Sequence, residues 1–168
     1  MRLKILVLTL SCFLFAVQAQ ADDLSRLMPE SVGDMFRIQL ITGNDAQVEV
    51  DKLHGKALPA KASVVARYAK PEDVASKRPA EVWVSQVASE KEARRQTGLM
   101  VHKMYENPRS PFKNPQRVDH NGIAVYRFEG MGQIHLIWFA GDLVYWISSS
   151  AEVESAMLDE FCKKIGEV

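Results

Sequence analysis

Apolar runs broken by turn-forming residues organise the chain between Asn114 and Ser150, NPQRVDHNGIAVYRFEGMGQIHLIWFAGDLVYWISSS. The stretch predicts four β-strands joined by tight turns at Asn121-Gly122, Gly130-Met131-Gly132 and Gly141-Asp142. Asn-Gly supplies the positive φ angles of a type I′ hairpin, and Gly-Asp suits a two-residue turn of the same family. The runs between them are rich in β-branched and aromatic residues, which fit a pleated, half-buried surface. A tight Gly141-Asp142 turn would oppose Ala140 to Leu143, Trp138 to Tyr145 and Leu136 to Ile147. One face then carries Ile134, Leu136, Trp138, Leu143, Tyr145 and Ile147, and the other His135, Ile137, Phe139, Val144, Trp146 and Ser148. Neither is a wet face, so both sides of the sheet call for cover.

Upstream, Asp23–Leu27 predicts a helical turn ended by Met28-Pro29, because the residue before proline avoids the α region. Met35–Thr42 alternates, with Phe36, Ile38 and Leu40 opposite Arg37 and Gln39. Gly43-Asn44-Asp45 would turn the chain into Ala46–Val50, making a hairpin with one wet face. Ser63–Ala69 and Glu81–Ala88 read as strands, with charged or proline-bearing loops at 52–61, 70–79 and 106–114. The last of these holds Arg109 and Lys113 between prolines, a solvated connector or a basic lip for an acidic partner.

Two helices follow from apolar stripes. Ser89 with Glu92 forms a capping box that opens a helix to Tyr105, with Ala93, Thr97, Met100, Val101 and Met104 on its inner stripe. Ser149 with Glu152 predicts a second box, opening a helix from Ala151 to Glu167 that buries Val153, Met157, Leu158, Phe161, Cys162 and Ile165. The expected class is α+β: an antiparallel sheet built around a C-terminal four-strand meander and packed by two amphipathic helices.

Strand into capped helix (AEVWVSQVASEKEA), then NGIAVYRFEG, HLIWFAGDLVYWISSS and the closing EVESAMLDEFCKK, resembles in layout the PsbP/Mog-type α/β/α sandwich. The resemblance spans about the last two-thirds of the chain. It implies helices on both faces of an antiparallel sheet and an accessory or binding role. It brings no metal-site or partner-site residues to carry over.

Composition alters the picture mainly at the N-terminus. Met1-Arg2-Leu3-Lys4, the apolar run Ile5–Val17 and Ala19-Gln20-Ala21 read as a secretory signal, 1–21, cleaved before Asp22. The apolar run is short for a transmembrane span. It also continues past Cys12, which argues against a lipoprotein. A single α+β domain, 22–168, would remain in a periplasmic or secreted protein. Removing Arg2 and Lys4 leaves 19 basic against 21 acidic side chains, a balance that points away from nucleic acid. Cys162 would then be the lone cysteine, a buried thiol with a raised pKa.

Catalytic signatures are absent. His54, His102, His120 and His135 are scattered without metal-ligand spacing, so no metal and no cofactor is expected. No G-x-S-x-G elbow occurs, and Gly130-Met131-Gly132 neither follows a parallel strand nor opens a helix. His135 near Ser148 lacks an evident orienting carboxylate and reads as a hydrogen-bonded structural histidine. The leading expectation is a non-enzymatic binding or accessory protein of the cell envelope. Its ligand-binding candidates are Tyr126, Phe128, His135 and Trp146, lining a groove for an apolar ligand or a protein partner, partly covered by Leu24–Met28. The alternative is a small secreted enzyme with a loop-assembled site.

Overall fold

A computed structural model describes residues 24–54, 58–74 and 78–163. The signal segment, Ile165 and the forecast helix end at Glu167 lie outside these residues. In chain order the elements are β1 (Ser31–Val32), β2 (Met35–Thr42), α1 (Gly43–His54), β3 (Ala62–Ala69), β4 (Ala80–Gln86) and α2 (Glu90–Glu106). Then come β5 (Phe112–His120), β6 (Ile123–Gly130), β7 (Gln133–Ala140), β8 (Leu143–Ser149) and α3 (Glu154–Phe161), with short 3-10 turns at Pro71–Asp73 and Ala151–Val153. The strands make one antiparallel sheet of eight, in the order β1-β2-β3-β4-β8-β7-β6-β5. The class is α+β, and β5–β8 are the expected meander.

Turn chemistry sets the meander's register. Asn121 and Gly122 take φ of 54° and 77°, the type I′ geometry. The next turn needs only Met131 and Gly132, since β6 runs on through Gly130. Across the last turn Ala140 faces Leu143, Trp138 faces Tyr145 and Leu136 faces Ile147, as the alternation requires. The Trp138 and Tyr145 rings stack at 4.8 Å and 4°.

The inner face of the sheet holds the larger core. Trp138, Leu136, Ile147, Val82 and Tyr68 meet Val153, Met157, Leu158, Phe161 and Cys162 there. Phe161 touches the Tyr68 ring on β3 at 6.1 Å, while the adjacent Cys162 carbonyl accepts from Asn121 Nδ2 at 3.4 Å, at the β5–β6 turn. These two contacts fix the end of α3 between β3 and the β5–β6 turn on the inner face. The outer face carries α1 over β3, through Ala46, Val50 and Val65, and α2 over β7 and β8.

Several expectations change. Ala46–Val50 lies in α1 rather than in a strand. Its five residues satisfy both periods: Ala46 and Val50 are an i,i+4 pair and are buried, while Val48 is exposed. Asp51 then accepts the Leu58 amide at 3.0 Å, and Gln47 Nε2 donates to the Leu58 carbonyl at 3.2 Å, tying α1 to the chain beyond it. On β2 a bulge between Arg37 and Gln39 breaks the alternation, so Phe36, Ile38 and Leu40 share no buried face. Leu24 and Met28 go to the inner core, packing with the cluster around Trp138, not to the Trp146 face. Arg37 reinforces this by donating from Nη1 to the Met28 carbonyl.

Ser149 is the last residue of β8 and its buried hydroxyl has no hydrogen-bond partner, so the second capping box does not form. Of the first, one half forms: Ser89 Oγ accepts the Glu92 amide at 3.3 Å, while the Glu92 carboxylate accepts from Arg95 and Gln96. β5 begins at Phe112, inside the stretch expected to be a loop.

Two arginines fasten the layers. Arg67 on β3 reaches Glu81 on β4 (2.7 Å), Gln39 on β2 (2.6 Å) and Glu49 on α1 (3.5 Å). Arg127 on β6 holds Glu154 of α3 through two bonds, 2.8 and 3.1 Å, and Glu129 at 3.1 Å.

Candidate functional site

The four residues expected to line a groove come together on the outer face. Tyr126 opposes Ile137, Phe128 opposes His135, and His135 opposes Ser148 across β6, β7 and β8. Phe128 and Trp146 are 1% and 8% exposed, and they pack with Met104, Ile137, Met100, Val101 and Phe112. Tyr126 alone of the four keeps a partly open ring. The groove expected here is filled by α2 and Phe112. What remains nearby is a void of about 20 Å³ among Val50, Trp83, Gln96, Met100 and Trp146, on the scale of a single water.

His135 is the polar centre of this cluster. Trp146 Nε1 lies 3.3 Å and Ser148 Oγ 3.0 Å from its Nδ1, and its Nε2 is 3.0 Å from the Gly130 carbonyl. An indole N–H only donates, so Nδ1 accepts and the proton is on Nε2, directed at Gly130. Burial holds the imidazole below its usual pKa, the Gly130 hydrogen bond opposing this in part. Phe112 meets the His135 ring edge-on at 4.8 Å and the Trp146 ring at 5.8 Å. Glycine at 130 makes that approach possible, because a Cβ there would lie 2.9 Å from both Phe112 Cδ1 and the Pro111 carbonyl.

The Ser148–His135 pair has the spacing of a nucleophile and a base. Its Nδ1 is shared with Trp146, however, and both residues are buried beneath α2. The arrangement locks strand to strand. Elsewhere His102 pairs with Glu106 at 2.8 Å on the surface of α2, and His120 lies 3.2 Å from Asp159. Among the described residues no three histidine, cysteine or acidic side chains converge as metal ligands would. Cys162 is buried on the α3 stripe, and desolvation, with Asp119 adding to it, pushes its thiol up to about 12.

Open depressions lie at the loops. One of about 510 Å³ is lined by Pro59, Lys61, Ser89 and Arg95, and another of about 380 Å³ by Tyr68, Lys70, Arg78 and Ser150. Their charges are largely committed within the chain: Arg95 to Glu92 at 2.6 Å, Lys70 to Asp34 at 2.9 Å, and Arg78 to the Met131 carbonyl at 2.6 Å.

The two sheet edges differ in a way that alternation alone did not reveal. The β5 edge is guarded by Pro115, a positive φ of 52° at Asn114, a bulge after Lys113, and charges at Lys113, Arg117 and Asp119. On the other side β1 covers only Met35 and Phe36, and the Arg37 amide still donates to the Glu30 carbonyl at 2.8 Å. Among the described residues, no strand of the sheet lies beyond β2 from Ile38 to Thr42. Phe36, Ile38 and Leu40 are 56%, 40% and 38% exposed along it. Neither the two-residue β1 nor the bulge was read from the sequence.

No family model matches the chain, and neither a curated protein nor a solved structure matches it.

Proposed function

We propose that this chain is an exported, non-enzymatic accessory protein of the cell envelope that binds a partner protein along β2. The observation that carries the reading is the uncovered, apolar β2 edge, set against a β5 edge that is blocked at several positions. A long edge with unpaired amides and carbonyls accepts an extended segment by strand addition, main-chain bonds supplying affinity and apolar pockets selectivity. The partner segment is extended and apolar at alternate positions, continuing the ladder that β1 begins at Met35 and Phe36. In this reading α2 and α3 clamp the meander as a rigid support, which agrees with the accessory role implied by the PsbP/Mog-type layout.

Export rests on the basic, apolar and A-x-A pattern of residues 1–21. No described helix is long and apolar enough to cross a membrane. The enzyme alternative would need a site assembled from loops, and the buried Ser148–His135 pair, with its Nδ1 shared with Trp146, favours a structural role instead.

A photo-crosslinking residue placed at Ile38 of the mature protein, with one at Lys113 as the guarded-edge control, tests the reading in the native envelope. The expected result is a defined adduct with another protein from position 38 and none from 113. Leu40→Lys should abolish the adduct without lowering the melting temperature. An adduct only with a second copy of this chain would replace the partner by self-association. No adduct at all would refute the edge as a binding site.

A further inference from the structure

We infer that His135 is an acid-sensitive latch, which in its neutral form ties Trp146 and Ser148 of β8 to the β6–β7 hairpin and seats Phe112 on the outer face. The inference is independent of the partner reading. Its basis is the wiring of the imidazole: two donors converge on Nδ1 while Nε2–H is spent on the Gly130 carbonyl. A proton added at Nδ1 would end the Trp146 Nε1–H hydrogen bond and set two N–H groups against each other in a buried site, while Ser148 Oγ, 3.0 Å away, would have to turn from donor to acceptor.

Among the described residues no countercharge is at hand to receive the imidazolium. Along the same row of the sheet the next ionisable side chain is Glu81, one strand beyond Ser148, and its carboxylate is held by Arg67 at 2.7 Å and Trp83 Nε1 at 3.2 Å. On β6, Arg127 pairs with Glu129 and with Glu154 on the opposite face. From α2 the cluster receives Met100, Val101 and Met104, while His102, Lys103 and Glu106 are exposed. At the start of β5, Phe112 enters the cluster and Lys113 is turned to the Pro108 carbonyl.

Burial depresses the imidazole's pKa in the closed state, whereas an opened corner restores the ordinary value near 6.5. The latch is therefore fully closed above about pH 6.5 and is progressively lost as pH falls through the depressed value. Opening frees the 107–112 connector and the end of α2, exposing the rings of Phe112, Phe128 and Trp146.

Hydrogen exchange of the mature protein, corrected for intrinsic pH dependence, reads this directly. Between about pH 7.5 and about pH 5, protection across 99–113 should fall by about tenfold or more while β3 and β4 keep theirs. The NMR titration of His135 should share the midpoint. His135→Gln, which cannot take the proton, should abolish the acid step. If that variant does not fold, Trp146→Phe removes one donor and should move the midpoint to higher pH. Unchanged protection in the wild type, an acid step that survives in His135→Gln, or a midpoint unmoved by Trp146→Phe would each overturn the latch.

Discussion

Trp138 offers the sharpest test of how the two faces are assigned. Its side chain is fully buried on the inner face, stacked on Tyr145 at 4.8 Å, and its Nε1 has no hydrogen-bond partner. Truncation to alanine empties a large site that the sheet on one side and α3 on the other cannot easily collapse. The expected cost of Trp138→Ala is about 3–5 kcal/mol, the range for large aromatic-to-alanine changes in cores. The stacking adds about 0.5–1.5 kcal/mol to ordinary burial. Release of an unpaired buried N–H returns about 1–3 kcal/mol. These offset each other, so the central range stands.

Trp138→Phe separates the contributions. It loses roughly 40 Å³ of ring at about 24 cal/mol per Å³, about 1 kcal/mol, and also removes the orphan donor. It should therefore retain most of the wild-type stability. Urea unfolding of the mature chain, with the slope held common, measures both variants. A loss under about 1 kcal/mol for Trp138→Ala would place the residue at the surface and refute the facial assignment. A phenylalanine variant as unstable as the alanine one would show that the indole N–H is partnered.

Gly130→Ala should destabilise by about 1–3 kcal/mol and alter the near-ultraviolet dichroism of the aromatic cluster, because its Cβ would meet Phe112 and Pro111 at 2.9 Å. Glu154→Gln breaks the two-bond contact with partly buried Arg127 and should cost about 1–2 kcal/mol, between the values for exposed and for buried pairs; an unchanged melting temperature would remove that contact from the account of α3. Cys162, with its thiol raised to about 12, should react with a thiol reagent at least roughly a hundredfold faster in denaturant than in the native state at the same pH; equal rates would mean that α3 does not cover it. N-terminal sequencing of the exported protein should begin at Asp22, and an intact leader on the exported form would count against cleavage after Ala21.

Residues that obey one strong local rule were legible without any structure. Asn121-Gly122 has a single comfortable conformation between β5 and β6, and a tight turn at Gly141-Asp142 was enough to set the Trp138–Tyr145 pair across β7 and β8. Ser89 and Glu92 likewise located the start of α2, and the stripe from Val153 to Cys162 located the buried side of α3. Where a segment satisfied two periods, or where cover arrived from distant sequence, local rules could not decide. AQVEV fits a strand and a helix equally, and α1 prevailed because Ala46 and Val50 bury together against Val65. The bulge after Arg37 is a property of pairing with β3, invisible in β2 alone, and it turned an expected buried stripe into an exposed edge.

The fate of Tyr126, Phe128, His135 and Trp146 was decided in the same way. Their adjacency is written in the alternation of β6, β7 and β8. Whether they bound a groove or a core depended on where α2 lies and on Phe112, which can close over them because residue 130 has no side chain. Alternation determines neighbours within a sheet. Only the packing of separate elements determines which of its faces and edges are left for anything else, because burial is set by whatever arrives from elsewhere in the chain.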